Sequence, residues 1–258
     1  MTYCVGLRLN RGLVFMSDTR TNAGVDNFST TKKMFTWTVP GDRSITIMTA
    51  GNLATTQALV SLLEERSKVV SERNPTILEQ PTMFQVARLV GQTLREVIQD
   101  SVMVGQTLRE VIQDSVMVGQ TSSSSFTASV ILGGQINGGS PTLFMIYPEG
   151  NFIEITDDAP FFQIGEAKYG KPILVRAYDP DMTFEEAIKL LMVSFDSTIK
   201  ANLSVGLPLD LRTYDANSFA DGFTSRIEST DAYYQQISQS WGEALRNALM
   251  HLPAYPRS

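Results

Sequence analysis

Met1-Thr2-Tyr3-Cys4-Val5-Gly6-Leu7, followed by Leu13-Val14-Phe15-Met16-Ser17-Asp18-Thr19-Arg20, is the stretch whose reading decides the fold. Residues 2–9 read as a strand, Asn10-Arg11-Gly12 as a turn, and residues 13–17 as a returning strand, so the chain opens on a β-hairpin. Hairpin pairing, not sequence distance, returns Asp18 close to Thr2. Threonine is small enough for the initiator methionine before it to be trimmed. Removal would put a hydroxyl and a free α-amine on Thr2, a nucleophile and a base on one residue.

Working outward, Thr19 to Ser29 is polar, holds Gly24, Asp26 and Asn27, and is expected to be loop. Met34 to Val39 alternates, Pro40-Gly41-Asp42 turns it, and Ser44 to Ala50 forms a further strand. The period then changes. Leu53, Leu59, Leu62, Leu63 and Val70 recur at helical spacing to about residue 71, and Asn74-Pro75 breaks the helix. A second helix starts near Met83. Strands resume at 126–132, 142–147, 152–156 and 161–165. Helices are expected over 167–178 and from Thr183 to about Asn202, the latter opened by a capping box, Thr183-Phe184-Glu185-Glu186. Strands at 207–214 and 223–228 and a helix over 231–249 complete the order. Strands in blocks and helices in blocks argue α+β, and a four-layer αββα sandwich of two antiparallel sheets between helices is the expected fold.

One segment is written twice. VGQTLREVIQDSVM at 90–103 recurs unchanged at 104–117. Solenoid repeats are longer and come in threes or more. Fourteen residues are close to four helical turns, so the second copy is rotated by only about 40° and keeps the same apolar face. A helix from 83 to 117 would span about 52 Å at 1.5 Å per residue. One copy is therefore expected to suffice for the fold, with the other extending the helix end or looping out.

Composition excludes several functions. The 258 residues are 43% hydrophobic, enough for a folded core, and the net charge is −6 with scattered basic residues, which argues against nucleic acid. Cys4 is the one cysteine, so no internal disulfide forms and a reducing compartment is expected. No signal peptide and no run near the roughly 20 apolar residues of a membrane span is visible, so a cytoplasmic location without membrane attachment is expected. The one histidine, His251, lies close to the C-terminus. A His-rich metal site is thereby excluded, and a histidine-based triad would have to use that residue. No cofactor is expected.

An N-terminal threonine nucleophile needs a base, a nearby positive charge, an acid to hold that charge, and N–H groups for the oxyanion. The α-amine, with an ordinary pKa of about 7.7–8.0, suits the first role. Asp18 ends the second strand. Lys32-Lys33 opens the third, where alternation would send one lysine to each face. Gly51 ends a strand and precedes a helix, where N–H groups converge.

Thr2, Ser17-Asp18-Thr19-Arg20, Lys32-Lys33-Met34 and Met48-Thr49-Ala50-Gly51 in this order resemble the proteasome β-subunit family of N-terminal nucleophile hydrolases. Ile164-Gly165 before a helix and Leu203-Ser204-Val205-Gly206 after one extend the resemblance over most of the chain. The short Met-Thr start and the long C-terminal tail look most like its bacterial Anbu branch, the ancestral β-subunits. The resemblance implies a single domain over 1–258, with residues 231–258 used in assembly, and a threonine peptidase in a self-assembled homo-oligomeric ring acting on peptide or unfolded protein. It implies Thr2 as nucleophile and Asp18 as partner of the active-site lysine. That lysine matches Lys33 better than Lys32. Gly51 would supply the oxyanion N–H, and Ser204 would help to place the terminal amine. Thr21, Thr31, Thr49 and Leu53 would line a small to medium, mildly polar pocket for the residue before the cut. Two positions depart from the family pattern: Glu166 stands where serine is usual, and Ala201, with Asn202 beside it, where aspartate is usual. A carboxylate at Glu166 would take over the missing role or mistune the amine. A fold-keeping ring scaffold without useful turnover, or a small-molecule amidohydrolase, are the alternatives. Substrate, ring size and any ATP-dependent unfoldase partner are not written in these residues.

Overall fold

The computed structural model describes residues 2–22, 28–68, 75–113 and 126–256. The opening hairpin is β1 (Tyr3–Leu9) and β2 (Gly12–Asp18), antiparallel with Cys4 opposite Ser17 and Leu9 opposite Gly12. Later come β10 (Phe161–Gly165), β11 (Leu209–Asp215) and β12 (Thr224–Ile227). They complete a five-stranded sheet in the order β10-β1-β2-β11-β12. A second five-stranded sheet runs β5-β6-β7-β8-β9, from β5 (Met34–Val39), β6 (Arg43–Gly51), β7 (Ala128–Ile136), β8 (Thr142–Ile146) and β9 (Phe152–Glu154). All its pairings are antiparallel.

Strand alternation sorts side chains into layers. Cys4, Leu13 and Phe15 from the first sheet meet Met48, Ala50, Ile131 and Leu143 from the second, forming the core between the sheets. The opposite faces bury their own residues. Ile45, Ile47, Val130 and Leu132 pack under α1 (Leu53–Lys68) and α2 (Met83–Gln113). Val5, Leu7, Val14 and Met16 pack under α3 (Lys171–Ala177) and α4 (Phe184–Ala201), with Tyr234 of α5 (Ala232–Met250). The result is the αββα sandwich. Thr183 and Glu186 form the capping box of α4, each side chain bonded to the other's backbone N–H.

Three expectations are corrected. The segment read as loop from 19 to 29 holds two short strands, β3 (Arg20–Asn22) and β4 (Phe28–Thr30), paired antiparallel. Three residues are too few to show a period of two. The helix expected from 167 starts only at Lys171. Gly170 before it packs against the Tyr3 hydroxyl and Ser194, where an added Cβ would lie 2.2 Å from the Tyr3 oxygen. Pro172, in the first turn, starts the helix without needing an N–H acceptor. The strand expected from 207 begins at Leu209, after Pro208, which lacks an N–H for the ladder.

The first repeat copy supplies core residues: Leu94 and Val97 are buried and Ile98 packs beside them. The second copy continues α2 through Gln113, and its residues 114–117 lie outside the described residues, as does the serine-rich connector 121–125. Among the described residues no helix is long and apolar enough to cross a membrane.

Candidate functional site

The hairpin register places Tyr3 one step beyond the Cys4–Ser17 pair and Asp18 one step beyond on the other strand. The Tyr3 N–H donates to Asp18 Oδ1 at 2.9 Å, so the residue after Thr2 is anchored by the carboxylate. Lys33, 5% exposed, donates from Nζ to the same oxygen at 2.7 Å and to the Arg20 carbonyl at 2.6 Å. The Gly206 N–H approaches Asp18 Oδ2 at 3.4 Å. Asp18 is 0% exposed. Burial pushes its carboxyl above the ordinary value, against the opposing pull of the Lys33 ammonium and the hydrogen bonds.

The first sheet holds the Thr2 backbone from the other side. Tyr3 pairs with Gly165 of β10, and the Glu166 N–H donates to the Thr2 carbonyl at 2.6 Å. Gly165 has φ +83, and a Cβ there would lie 1.8 Å from that carbonyl oxygen. Only glycine allows this approach. Gly51 has φ +121, and a Cβ there would meet the Thr127 carbonyl at 2.4 Å. Asn52 caps α1 just after it, its Oδ1 accepting from the Thr55 N–H at 3.1 Å.

These elements open onto a cleft of about 430 Å³. Thr2, Lys33, Gly51, Thr21, Thr49 and Leu53 all line it. Asp18 lies behind Lys33. Thr31 is not among the lining residues; its N–H is bonded to the Thr19 carbonyl, closing the β3–β4 ribbon. The lysines also correct the sequence reading. Residues 31–33 are irregular and β5 begins only at Met34, so alternation does not apply, and Lys32 lines the cleft as well. Lys32 is exposed, with Nζ 5.4 Å from the Phe35 ring centre, and only Lys33 reaches Asp18. Phe35, Thr56 and Gln57 complete walls that sequence reasoning missed. Helical spacing from Leu53 would have brought Thr56 and Gln57 onto its face.

Glu166 and Ser204 lie beside the cleft and are joined through Asn202. Asn202 Nδ2 donates to Glu166 Oε2 at 3.0 Å. Its Oδ1 accepts from the Ser204 hydroxyl at 2.7 Å and from the Ser204 N–H at 3.0 Å. Ala201, by contrast, is exposed. The polar partner of Ser204 therefore sits at 202 rather than 201, next to the carboxylate of Glu166. No group of three or more His, Cys, Asp or Glu side chains that could hold a metal occurs among the described residues.

The arrangement holds a threonine backbone rigidly, keeps an ammonium against a carboxylate next to it, and leaves a cleft with mixed threonine and apolar walls. The same parts recur in known proteins. A family model described as "Proteasome subunit" matches residues 82–206. Anbu from Hyphomicrobium sp. strain MC1, solved as a Gly-1 mutant, is 46% identical over 100% of both chains, with a TM-score of 0.86. Anbu, the ancestral beta-subunit, from Yersinia bercovieri is 41% identical over 99% of this chain and 100% of its own, with a TM-score of 0.87. The helical assembly of the Anbu complex from Pseudomonas aeruginosa is built of a chain 43% identical over 98% of each, with a TM-score of 0.84. Likeness of sequence and of fold thus runs the whole length, and the chain belongs to the proteasome subunit family, in its Anbu or ancestral β-subunit branch.

Proposed function

We propose that the protein is a threonine-type peptidase whose nucleophile is Thr2, freed by removal of Met1, and that it works as a homo-oligomer. The observation that carries this is the buried Lys33–Asp18 pair, whose lysine lines the same cleft as Thr2 and whose carboxylate anchors the N–H of the next residue, Tyr3. The Thr2 hydroxyl attacks the scissile carbonyl carbon and passes its proton to its own α-amine. The Lys33 ammonium lowers the cost of the developing alkoxide, and Asp18 fixes that ammonium in place. The tetrahedral oxyanion falls on the Gly51 side of the cleft, where backbone N–H groups stabilise it. The amine then gives its proton to the leaving nitrogen, the C–N bond breaks, and an ester on Thr2 remains. Water activated by the same amine hydrolyses the ester, releasing a carboxylic acid and restoring Thr2.

Thr21, Thr49 and Leu53 give the cleft a mildly polar, small to medium pocket for the residue before the cut. The Glu166–Asn202–Ser204 chain supports the backbone that carries the amine. The single cysteine points to a reducing cytoplasm as the working compartment. Peptides or unfolded segments are the substrate class, because a cleft of this size admits an extended chain and not a folded one.

Mass spectrometry after treatment with a threonine-directed peptide electrophile tests the reading. One adduct on Thr2 is expected, lost in Thr2→Ala and Lys33→Ala and kept in Lys32→Ala. No adduct on the wild-type protein, or an equal one on Thr2→Ala, would overturn it in favour of a scaffold that keeps the fold without turnover.

A further inference from the structure

A polar strip interrupts the apolar layer between the two sheets. β11 pairs with β2 so that Tyr214 lies opposite Leu13, Arg212 opposite Phe15 and Asp210 opposite Ser17. Directly opposed residues share a face, and Leu13, Phe15 and Tyr214 belong to the core between the sheets. Ser17, Asp210 and Arg212 therefore point into the same layer. Arg212 crosses it, donating from Nη2 to Ser44 Oγ of β6 at 3.0 Å. Arg226 of β12 lies opposite Asp210 and shares that face.

The charges of the strip are incompletely matched. Arg212 is 3% exposed, and its Nε–H is buried without a hydrogen-bond partner among the described residues. Asp210 Oδ2 and the Ser17 hydroxyl are in the same condition. Asp221 stands 4.0 Å from Arg212 Nη2, but on a side chain that is 80% exposed. Burial holds the Arg212 guanidinium below its ordinary value. Arg226 Nη1 reaches the other Asp210 oxygen, Oδ1, at 3.4 Å, and its Nε lies 3.3 Å from Glu228.

Asp210, Arg212 and Arg226 line a recess of about 480 Å³, whose other wall is Met34 and Thr36. β5 and β12, which flank it, are each the edge strand of their sheet, so the recess is an opening into the layer between the sheets. Lys32 lines both this recess and the Thr2 cleft, so the two adjoin.

We infer that this recess binds the C-terminal end of a peptide. The peptide carboxylate accepts from the Arg212 Nε–H, with Arg226 and Lys32 as further cations, and an amide N–H near the chain end donates to Asp210 Oδ2. A simple anion would satisfy Arg212 but would stand against the Asp210 carboxylate and leave it unpaired. A ligand with an N–H donor close to its carboxylate satisfies both groups. Alternate residues of a strand stand about 7 Å apart, close to the length of two residues of extended chain, so the last two residues of a peptide span the pair.

Binding is read without turnover, so the inference stands apart from the peptidase reading. Isothermal titration calorimetry of the full chain with N-acetylglycylglycine, near neutral pH and at low salt, should show saturable binding at millimolar concentration, one ligand per chain. N-acetylglycylglycinamide, which lacks the carboxylate, and acetate, which lacks the N–H, should each bind about tenfold more weakly or worse. Arg226→Met, at a side chain 43% exposed, should keep the wild-type circular dichroism and lose about tenfold in affinity for the peptide. Asp210→Ala should weaken the peptide and tighten acetate, closing the gap between them. A wild type without saturable binding, acetate or the amide binding as tightly as the peptide, or a folded Arg226→Met chain with unchanged affinity overturns the inference.

Discussion

Replacing Lys33 by methionine keeps the aliphatic stem and removes one charge. It leaves the Asp18 carboxylate, 0% exposed, with the Tyr3 N–H at 2.9 Å and the Gly206 N–H at 3.4 Å as its hydrogen-bond donors. Deleting one member of a buried ion pair costs about 3–5 kcal/mol, because the remaining charge is uncompensated. The buried carboxyl already titrates above its ordinary value, and loss of the opposing ammonium raises it further. In the variant the folded state therefore binds more protons than the unfolded state between the unfolded and folded pKa values. Stability falls as pH rises through that window, by up to about 1.4 kcal/mol per pH unit, and is recovered as pH drops below the unfolded value. Asp18→Asn/Lys33→Met removes both charges and should recover much of the loss, independent of pH. Urea unfolding at one fixed protomer concentration, from about pH 3 to 9 so as to span the unfolded Asp pKa of about 3.9, measures all of this. A Lys33→Met protein that loses under about 1 kcal/mol, or whose loss is flat with pH, would refute the reasoning.

Gly165→Ala should lose Thr2 labelling and about 1–3 kcal/mol of stability, because its Cβ falls 1.8 Å from the Thr2 carbonyl oxygen at φ +83; an active, stable variant contradicts the assigned backbone contact. Burial pushes the Cys4 thiol well above its ordinary value, so a disulfide reagent should modify it only as fast as the protein unfolds, and quick modification of the native protein would oppose this. Thr183→Ala should cost about 0.5–2 kcal/mol in thermal unfolding. The Thr183 backbone N–H, and after it the side chain, holds the Glu186 carboxyl below its ordinary value; this carboxylate half of the capping box keeps its N–H donor in Thr183→Ala and is present above the unfolded pKa and lost as pH falls through the folded one. Deleting residues 104–117 should leave a cooperative melt, because Leu94 and Val97 of the first copy supply the buried face; an aggregated product would show that both copies are needed.

The layers were legible because alternation over long strands has one solution. Ile45 and Ile47 against Met48 and Ala50 in β6 assign opposite faces without any knowledge of the partner sheet. Short irregular segments were not legible. Residues 31–33 lack a period, so alternation does not separate Lys33, which turns inward to Asp18, from Lys32, which stays at the surface, and only the family resemblance favoured Lys33 in the sequence. Asn202 escaped for a related reason. The end of α4 places its polar side chain between Glu166 and Ser204, one residue later than a fixed spacing would have it.

Asp18 shows why so much of the site could be read from strand ends. Its carboxylate joins β1 through Tyr3, the segment before β5 through Lys33, and the loop after α4 through Gly206. Folding cannot satisfy this buried charge without bringing those three segments together, and bringing them together is what sets Lys33 beside Thr2. On the proposed mechanism the site is organised before any substrate arrives, so little reorganisation remains for the chemical step. The same coupling predicts where variation is tolerated. Glu166, Asn202 and Ser204 satisfy one another in a chain beside the cleft, so they can change as a group while the Asp18 junction stays fixed. A departure from the family pattern at 166 and 201 is compatible with an intact Thr2–Lys33–Asp18 geometry for that reason.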